Sequence, residues 1–459
     1  MQLYFATELL RNSAQNFANE DEEMSDLNPE SDQKRENSVS YRFVHTADIH
    51  LDSPLKSLAL RNPDLAELIG NATRRAFVRT VELCLEERVQ ALLIAGDLYD
   101  GDQTSMKTAR FLSEQMRRLG EAGVSVFIVR GNHDALSKIT KELTPPESVK
   151  VFEGNAECIE LDGNVPIAIH GLSFAKPQAP ESLLGKYKPV VPGAYNIGIM
   201  HTSLYGAVGH DLYAPCSVSD LQSTGFDYWA LGHIHKRSAI EGKTSIVMPG
   251  NPQGRDINED GLKSVTLVTV REDRSATIEE RPTAIAQFER IEFDASSVDS
   301  WADLIDETSR LVENKRRQIS AEHLVARLSI TGSTPLAWRI RRDLDLLKTE
   351  LETNSPDRCW IEKIEVSCLP RSVQIVGAPA DHADPLMELR DLIQNDVVNS
   401  DAFITKLTVI ADELKGHLPH ECRDSLGTDE TSAQSILSQF ARDGAEEVLA
   451  RLQVTERSE

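Results

Sequence analysis

The chain has 459 residues, of which 40% are hydrophobic and 27% charged, and a formal net charge of −24 at pH 7. The length leaves room for two or three domains, and the apolar content is that of a globular protein. No run of about 18 apolar residues occurs, so no transmembrane helix is expected, and the N-terminus lacks the basic and apolar regions of a secretory signal.

Residues 1–40 carry a net charge of −6 and, from Asn19 on, few large apolar groups. This is the signature of a disordered acidic tail. From Tyr41 the pattern changes. Five short apolar runs rich in Val, Ile, Phe and Tyr each end in Gly, Asp or His, as buried strands ending in loops do. Tyr41–Ala47 leads into Asp48-Ile49-His50, and Val89–Ala95 into Gly96-Asp97-Leu98-Tyr99-Asp100. Val124–Arg130 leads into Gly131-Asn132-His133-Asp134, Tyr195–Met200 into His201-Thr202, and Phe226–Leu231 into Gly232-His233-Ile234-His235. Between them, Ala76, Val81 and Leu85, then Leu112, Met116 and Leu119, recur at helical spacing. Strands alternating with helices predict an α/β sheet with covered faces. In such sheets ligands gather beyond the carboxyl ends of the strands, which is where all five motifs fall.

What would converge there are imidazoles, carboxylates and one amide, with no thiolate. That set suits Mn²⁺, Fe²⁺ or Zn²⁺ and is large enough for two ions. His233 and His235 alternate along an extended segment, so serving one cluster requires a bend, and a loop opening at Gly232 allows one. His45 and His170 lie within apolar runs and read as satisfied core groups; His210 lies in a loop.

Further along, Met248–Arg255 is dense in Pro and Gly and reads as a loop. Ser264–Val270 and Thr277–Arg281 read as strands closing the sheet. Composition shifts near Thr283. Phe288–Phe293, Ser300–Ile319, His323–Ile330, a helix begun by Thr334 and Pro335 and running to about Glu352, and Trp360–Leu369 make a strand–helix–strand–helix–strand module. Its basic clusters are Lys315, Arg316 and Arg317, and Arg339, Arg341 and Arg342. They suit either a phosphate-contacting surface or a solvated face paired with acids such as Glu313 and Asp343. From Asp381 the chain is helical in period, with a net charge of −10 over 381–459. Leu386, Leu389 and Ile393 form one apolar stripe, Phe403, Leu407 and Ile410 another, and Ile436, Phe440 and Val448 a third. The six cysteines have no Cys-x-x-Cys pairing and read as free thiols in a reducing cytoplasm.

The five motifs carry a resemblance. The chain resembles the calcineurin-like metallophosphoesterases and, more narrowly, the bacterial DNA-repair exonucleases of the SbcD and YhaO type. The runs His45–Leu55 and Gly209–Cys216 are close to the YhaO form. The resemblance implies a metallophosphoesterase β-sandwich flanked by helices over 41–282, a small α+β capping domain that contacts DNA over 283–380, and a helical C-terminal segment over 381–459. It implies that Asp48, His50 and His235 hold one divalent ion, that Asn132, His201 and His233 hold the other, and that Asp97 bridges them. Mn²⁺ is the expected metal, with Fe²⁺ or Zn²⁺ as alternatives. A hydroxide between the ions would attack phosphorus, His133 would act as general acid, and Asp100 would orient His133. Arg255 is a candidate phosphate contact, with a solvated turn residue as the alternative. The phosphate-gripping Arg that follows the Asp100 position in single-subunit phosphatases is absent, since Gly101 and Asp102 stand there.

The implied function is a metal-dependent phosphodiesterase, a DNA repair exonuclease or endonuclease subunit. A coiled-coil ATPase of the SbcC type is the implied partner, docked on 381–459, and a homodimer is common in the family. No membrane association and a cytoplasmic setting are expected. The alternatives are a metallophosphoesterase for a small nucleotide or phosphoprotein, and a non-catalytic DNA-binding scaffold. The net charge of −24 runs against strong binding to free DNA, although 41–380 carries only −8 of it.

Overall fold

The structure, a computed structural model, describes residues 40–53, 63–100, 105–134, 146–173, 179–204, 213–371, 385–418, 426–427 and 429–453. The acidic tail expected over 1–40 and His210 fall outside these, apart from Ser40. The chain divides into two compact units. One holds residues up to 54, 73–252 and 263–283; the other holds 55–72, 253–262 and everything from Ala284.

In the first unit the described strands are β1 (Ser40–Thr46), β2 (Ala91–Ala95), β3 (Ser125–Val129), β4 (Val149–Val151), β5 (Glu157–Leu161), β6 (Ile167–Gly171), β7 (Tyr195–His201), β8 (Tyr228–Gly232), β9 (Ser238–Ile240), β10 (Ser245–Met248), β11 (Ser264–Arg271) and β12 (Ala276–Pro282). They form two six-stranded sheets, ordered β12-β11-β1-β2-β3-β4 and β5-β6-β7-β8-β10-β9. β1 to β4 run parallel, as do β6, β7, β8 and β10. β11 closes on β1 in the antiparallel sense.

The strands are apolar on both faces because both faces are covered. Phe43, Leu93 and Phe127 point between the sheets, against Ile169, Ile197 and Tyr228. Their neighbours Val44, Leu92, Ile94 and Val126 point the other way, against Phe77, Val81, Leu112 and Met116. Those four lie on the helices α1 (Pro63–Glu86) and α2 (Met106–Glu121). Every residue of β2 is buried, and each large side chain there contributes roughly 1.5–3 kcal/mol by leaving water. The outer face of the second sheet packs Met200, Trp229 and Leu231 against Leu221. Leu221 lies on the short helix α3 (Val218–Ser223), which is closed by a capping box between Ser217 and Asp220. The expected sandwich with flanking helices is the observed architecture.

The second unit centres on three parallel strands, β13 (Ala286–Asp294), β14 (His323–Thr331) and β15 (Cys359–Val366), in the order β13-β14-β15. The helix α4 (Trp301–Gln318), capped by Ser300, connects the first two. The single helix expected from Thr334 is not what forms. Ser333–Thr334 is a two-residue strand paired with Leu369–Pro370. Two helices follow, α5 (Ala337–Arg342) and α6 (Leu344–Asn354), broken at Asp343. The carboxylate of Asp343 accepts from the Arg342 guanidinium at 2.9 Å, which holds it at the break. The two basic clusters largely resolve into internal pairs: Lys315 with Glu289, Arg317 with Glu313, and Arg339 and Arg342 with Asp343.

The C-terminal helices of this unit are α7 (Pro385–Leu392), α8 (Asp401–His417) and α9 (Glu430–Leu452). Leu386, Leu389 and Ile393 pack with Trp338 and Leu449, so this stripe is covered. The others differ from expectation. Ile410 is 62% exposed, Phe440 54% and Val448 55%. The face of α9 that does pack is Ala441, Glu446, Leu449 and Ala450.

Candidate metal centre

The five motifs leave the carboxyl ends of β1, β2 and β3 in one sheet and β7 and β8 in the other. The first loop is laced to the second: Asp48 N donates to Gly96 O, His50 N to Asp97 O and Leu51 N to Leu98 O, each at 3.0 Å. Ile49, Leu51 and Leu98 enter the core beside α1 and α2. That leaves Asp48, His50 and Asp97 to turn towards the rim, and all three take a left-handed backbone, with φ of 51°, 46° and 52°. Such conformations cost about 1–3 kcal/mol each and persist where surrounding bonds enforce them. Gly96 is needed for space as well as for its φ of 94°, because a Cβ there would lie 2.3 Å from His201 Nδ1.

The bend that brings the last motif in is carried by His233, with φ of 100°. Gly232 supplies room, since a Cβ on it would fall 2.0 Å from the Ala95 carbonyl. His233 N is fixed by both oxygens of Asp48, at 3.0 Å each.

The donor atoms converge. Asp48, His50 and His235 each offer a ligand atom within 4.8 Å of the others, and so do Asp48, Asp97 and His201. His201 Nδ1 lies 2.9 Å from the Ala95 carbonyl, which only accepts, so Nδ1 carries the proton. Its Nε2 then faces Asn132 Oδ1 at 3.0 Å and Asp97 Oδ2 at 3.4 Å. With neutral His201, three lone pairs point at one another with no proton between them, an arrangement that fits a cation. His50 repeats the logic. Nδ1 donates to Asp100 Oδ1 at 2.7 Å, which leaves Nε2 bare at 3.1 Å from His235 Nε2 and 3.9 Å from Asp97 Oδ2. Asp97 therefore stands between the two histidine groups, as a bridge must. An all-nitrogen-and-oxygen donor set suits borderline and hard divalent ions.

The electrostatics of these side chains agree. Burial alone would lower the His201 pKa, but the charges of Asp97 and Asp48 and its bond to Asp97 raise it to about 9. Burial pushes Asp97 up, yet His201, His50 and His133 outweigh it and hold the carboxyl below its usual range. Asp48 is raised, chiefly by burial. A cation must displace the His201 proton, so apparent metal affinity should rise about tenfold per pH unit from pH 7 to about 9. Stability has the opposite sign without metal. The His201 contribution is fully present below its ordinary value of 6.5 and is lost as pH rises through about 9. Isothermal titration with Mn²⁺ and thermal melts in EDTA, each at pH 7, 8 and 9, check both; a flat affinity would refute the displacement.

His133 is 44% exposed at the rim, and its backbone N donates to Asp97 Oδ1 at 3.0 Å. Asp100 Oδ1 is 3.3 Å from His133 Nδ1 but 2.7 Å from His50 Nδ1, so Asp100 orients His50 first and His133 second. Three residues escaped sequence reasoning although each lies in a quoted run. Ser53 donates to Asp100 Oδ2. Asp134 is buried and accepts from Leu98 N, Tyr99 N and Gly131 N at 3.0–3.1 Å, bracing the Asp97 loop against the Asn132 loop. Tyr213 stacks on His233 with ring centroids 5.5 Å apart and lies edge-on to His201.

His45 is the satisfied core group expected, with Tyr228 Oη at 3.0 Å and the Leu231 carbonyl at 3.1 Å, and burial lowers its pKa to about 3. His170 is buried beside Asn196 and Phe226. Arg255 belongs to the second unit, where its guanidinium donates to Glu259 at 2.8 Å.

Residues 41–237 match the calcineurin-like phosphoesterase family, and residues 288–369 match the middle domain of the metallophosphoesterase YhaO. Residues 41–237 thus form a calcineurin-like metallophosphoesterase domain, and the candidate two-metal site lies within it. It is 35% identical over 232 residues to an uncharacterized metallophosphoesterase, YhaO, of Bacillus subtilis (strain 168), which is 50% of this chain and 57% of that one. It is 25% identical over 351 residues to the DNA double-strand break repair protein Mre11 of Methanopyrus kandleri, 70% of each chain. To the Mre11 of Methanocaldococcus jannaschii it is 28% identical over 199 residues, 42% of this chain and 51% of that one. The match thus spans little more than half the length of the YhaO relative. Among the described residues no helix is long and apolar enough to cross a membrane.

Proposed function

We propose that this chain is a two-metal DNA nuclease of repair, probed best with Mn²⁺, that hydrolyses phosphodiester bonds. The observation that carries the reading is the convergence of Asp48, His50, Asp97, Asn132, His201, His233 and His235 from five strand ends, with His133 beside them. Bound divalent ions supply the chemistry of lowering the pKa of a water and neutralising charge on phosphorus. The chain's own residues do the rest. His50 and His201 are locked in the tautomer that frees Nε2, Asp97 spans the two groups, and His133 at the open rim gives a proton to the leaving oxygen. His133→Ala should keep both metals and lose about a hundred- to a thousandfold in turnover. Metal analysis beside a bis-p-nitrophenyl phosphate assay checks this; loss of one metal would make His133 a ligand instead.

DNA as substrate is supported by the likeness to Mre11 proteins and by the module over 286–366, which a small-substrate enzyme does not need. The internal pairing of Glu313 and Asp343 with the module's arginines favours the second reading, a phosphoesterase for smaller substrates. The assay is end-labelled duplex and single-stranded DNA with Mn²⁺ or EDTA. Metal-dependent cleavage supports the nuclease; hydrolysis of the chromogenic diester alone supports the second reading. A coiled-coil ATPase of the SbcC type, docked on 381–459, is supported by the apolar residues left open there, Val409, Ile410, Leu414, Phe440 and Val448. Removing 381–459 should abolish co-purification with such an ATPase and keep diesterase activity. A cytoplasmic setting is supported by the five described cysteines all being free thiols.

A further inference from the structure

Behind the loops of the metal centre, the first unit contains a cavity of about 330 Å³. Leu98, Leu112, Met116, Ile128 and Val149 give it an apolar wall. Ser113, exposed on α2, lies at its edge. Its charged lining is Arg130, Lys150, Glu153 and Asp134. Lys150 is paired with Glu157 at 2.6 Å, and Asp134 is held by three backbone N–H groups. Arg130 differs. Its side chain is half-buried, no carboxylate among the described residues pairs with its guanidinium, and its Nε, closed off from solvent, has no acceptor. A half-buried guanidinium with no carboxylate partner beside an apolar wall is the complement of a small molecule with an apolar body and one anionic end, which its terminal nitrogens would receive. The volume is enough for about ten to fifteen non-hydrogen atoms, at the lower end of the range of small-molecule sites.

We propose that this cavity binds a small aromatic or aliphatic carboxylate, its carboxylate on Arg130 and its body against Leu98, Leu112, Met116 and Ile128. The site is regulatory by position. Asp134 in its wall also holds the backbone of Leu98, Tyr99 and Gly131, so an occupant bears on the loops that carry Asp97 and Asn132. Linkage then requires the carboxylate and the metal to alter each other's affinity by the same factor.

The test is a titration of the full-length, Mn²⁺-loaded protein with 2-naphthoate. One saturable site with Kd below about 0.5 mM is expected, and naphthalene-2-methanol, which lacks the charge, should bind at least about tenfold more weakly. Arg130→Gln should raise the naphthoate Kd about tenfold. Ser113→Phe, at an exposed helix position, narrows the cavity without touching the core and should raise it too. Saturating naphthoate should shift the apparent Mn²⁺ Kd at least about threefold. No saturable binding, equal binding of acid and alcohol, or indifference to both substitutions would overturn the site. Displacement by inorganic phosphate would place the naphthoate at the metal centre and overturn it as well. An unchanged Mn²⁺ Kd would overturn the regulatory link.

Discussion

Asp97→Asn should lower Mn²⁺-dependent hydrolysis of a phosphodiester by at least about a thousandfold while leaving the protein folded. The substitution is nearly isosteric. The Asn carbonyl can still accept from His133 N, as Asp97 Oδ1 does at 3.0 Å. What disappears is the charge between His201, 3.4 Å away, and His50, 3.9 Å away. Asp48 also has an oxygen within 4.8 Å of each histidine, but both of its oxygens accept from His233 N, so it does not replace the lost charge at the bridging position. Metal content should therefore fall together with turnover. Elemental analysis, a chromogenic diester assay and a thermal melt on one preparation separate the outcomes. Full turnover with two bound metals would remove Asp97 from its bridging place. A collapsed melting transition would show a structural role instead.

Glu446→Ala should destabilise the docking of α9 by about 3–5 kcal/mol, the range for removing one partner of a buried ion pair. Glu446 is 5% exposed. Its Oε2 accepts from Trp338 Nε1 at 3.0 Å, and its Oε1 from Arg390 Nε at 2.7 Å. Truncation leaves a buried indole N–H and a guanidinium without their acceptor, between the packed side chains of Leu386, Leu389 and Leu449. Glu446→Gln keeps an acceptor for Trp338 and should cost clearly less. Hydrogen exchange across 385–392 and 430–452 reads the effect directly. Protection unchanged by Glu446→Ala would mean that apolar packing alone holds these helices.

The metal centre was legible in the sequence because each contributing segment is a buried strand followed by polar residues that the core cannot accept. Asp48 and His50 alternate with Ile49 and Leu51, and that alternation alone separates rim from core. What was not legible is local and conformational. The bend expected of the loop opening at Gly232 is made by His233 itself, through its positive φ, while Gly232 supplies room where the chain passes against Ala95. Asp134 closes the motif that carries Asn132 and His133, and nothing in the residue type says that its carboxylate ties two loops together. Asp100 was assigned to His133, yet His50 is its nearer partner. In the second unit, Thr334 and Pro335 form a good helix-start signal that strand pairing with Leu369–Pro370 overrides. The α9 stripe through Phe440 and Val448 has helical spacing, but spacing cannot tell a face that packs from one left open.

The interleaved division of the chain bears on how it can be made and inherited. Leu65 and Ile69 complete a cluster with Ile257, Ala286, Phe288 and Val325. These residues emerge from the ribosome roughly 190 to 260 positions apart. The strands β11 and β12, which close the first sheet, are also among the last parts of their unit to be synthesised. The second unit cannot begin to close its core until the whole of the first has been made, although Leu65 and Ile69 are synthesised before most of it. A single crossover near residue 283 would hand a recombinant chain the module without Leu65, Ile69 and Ile257. The two units are therefore bound to descend together, and a natural fusion that separates them should be found only where those three positions have changed as well.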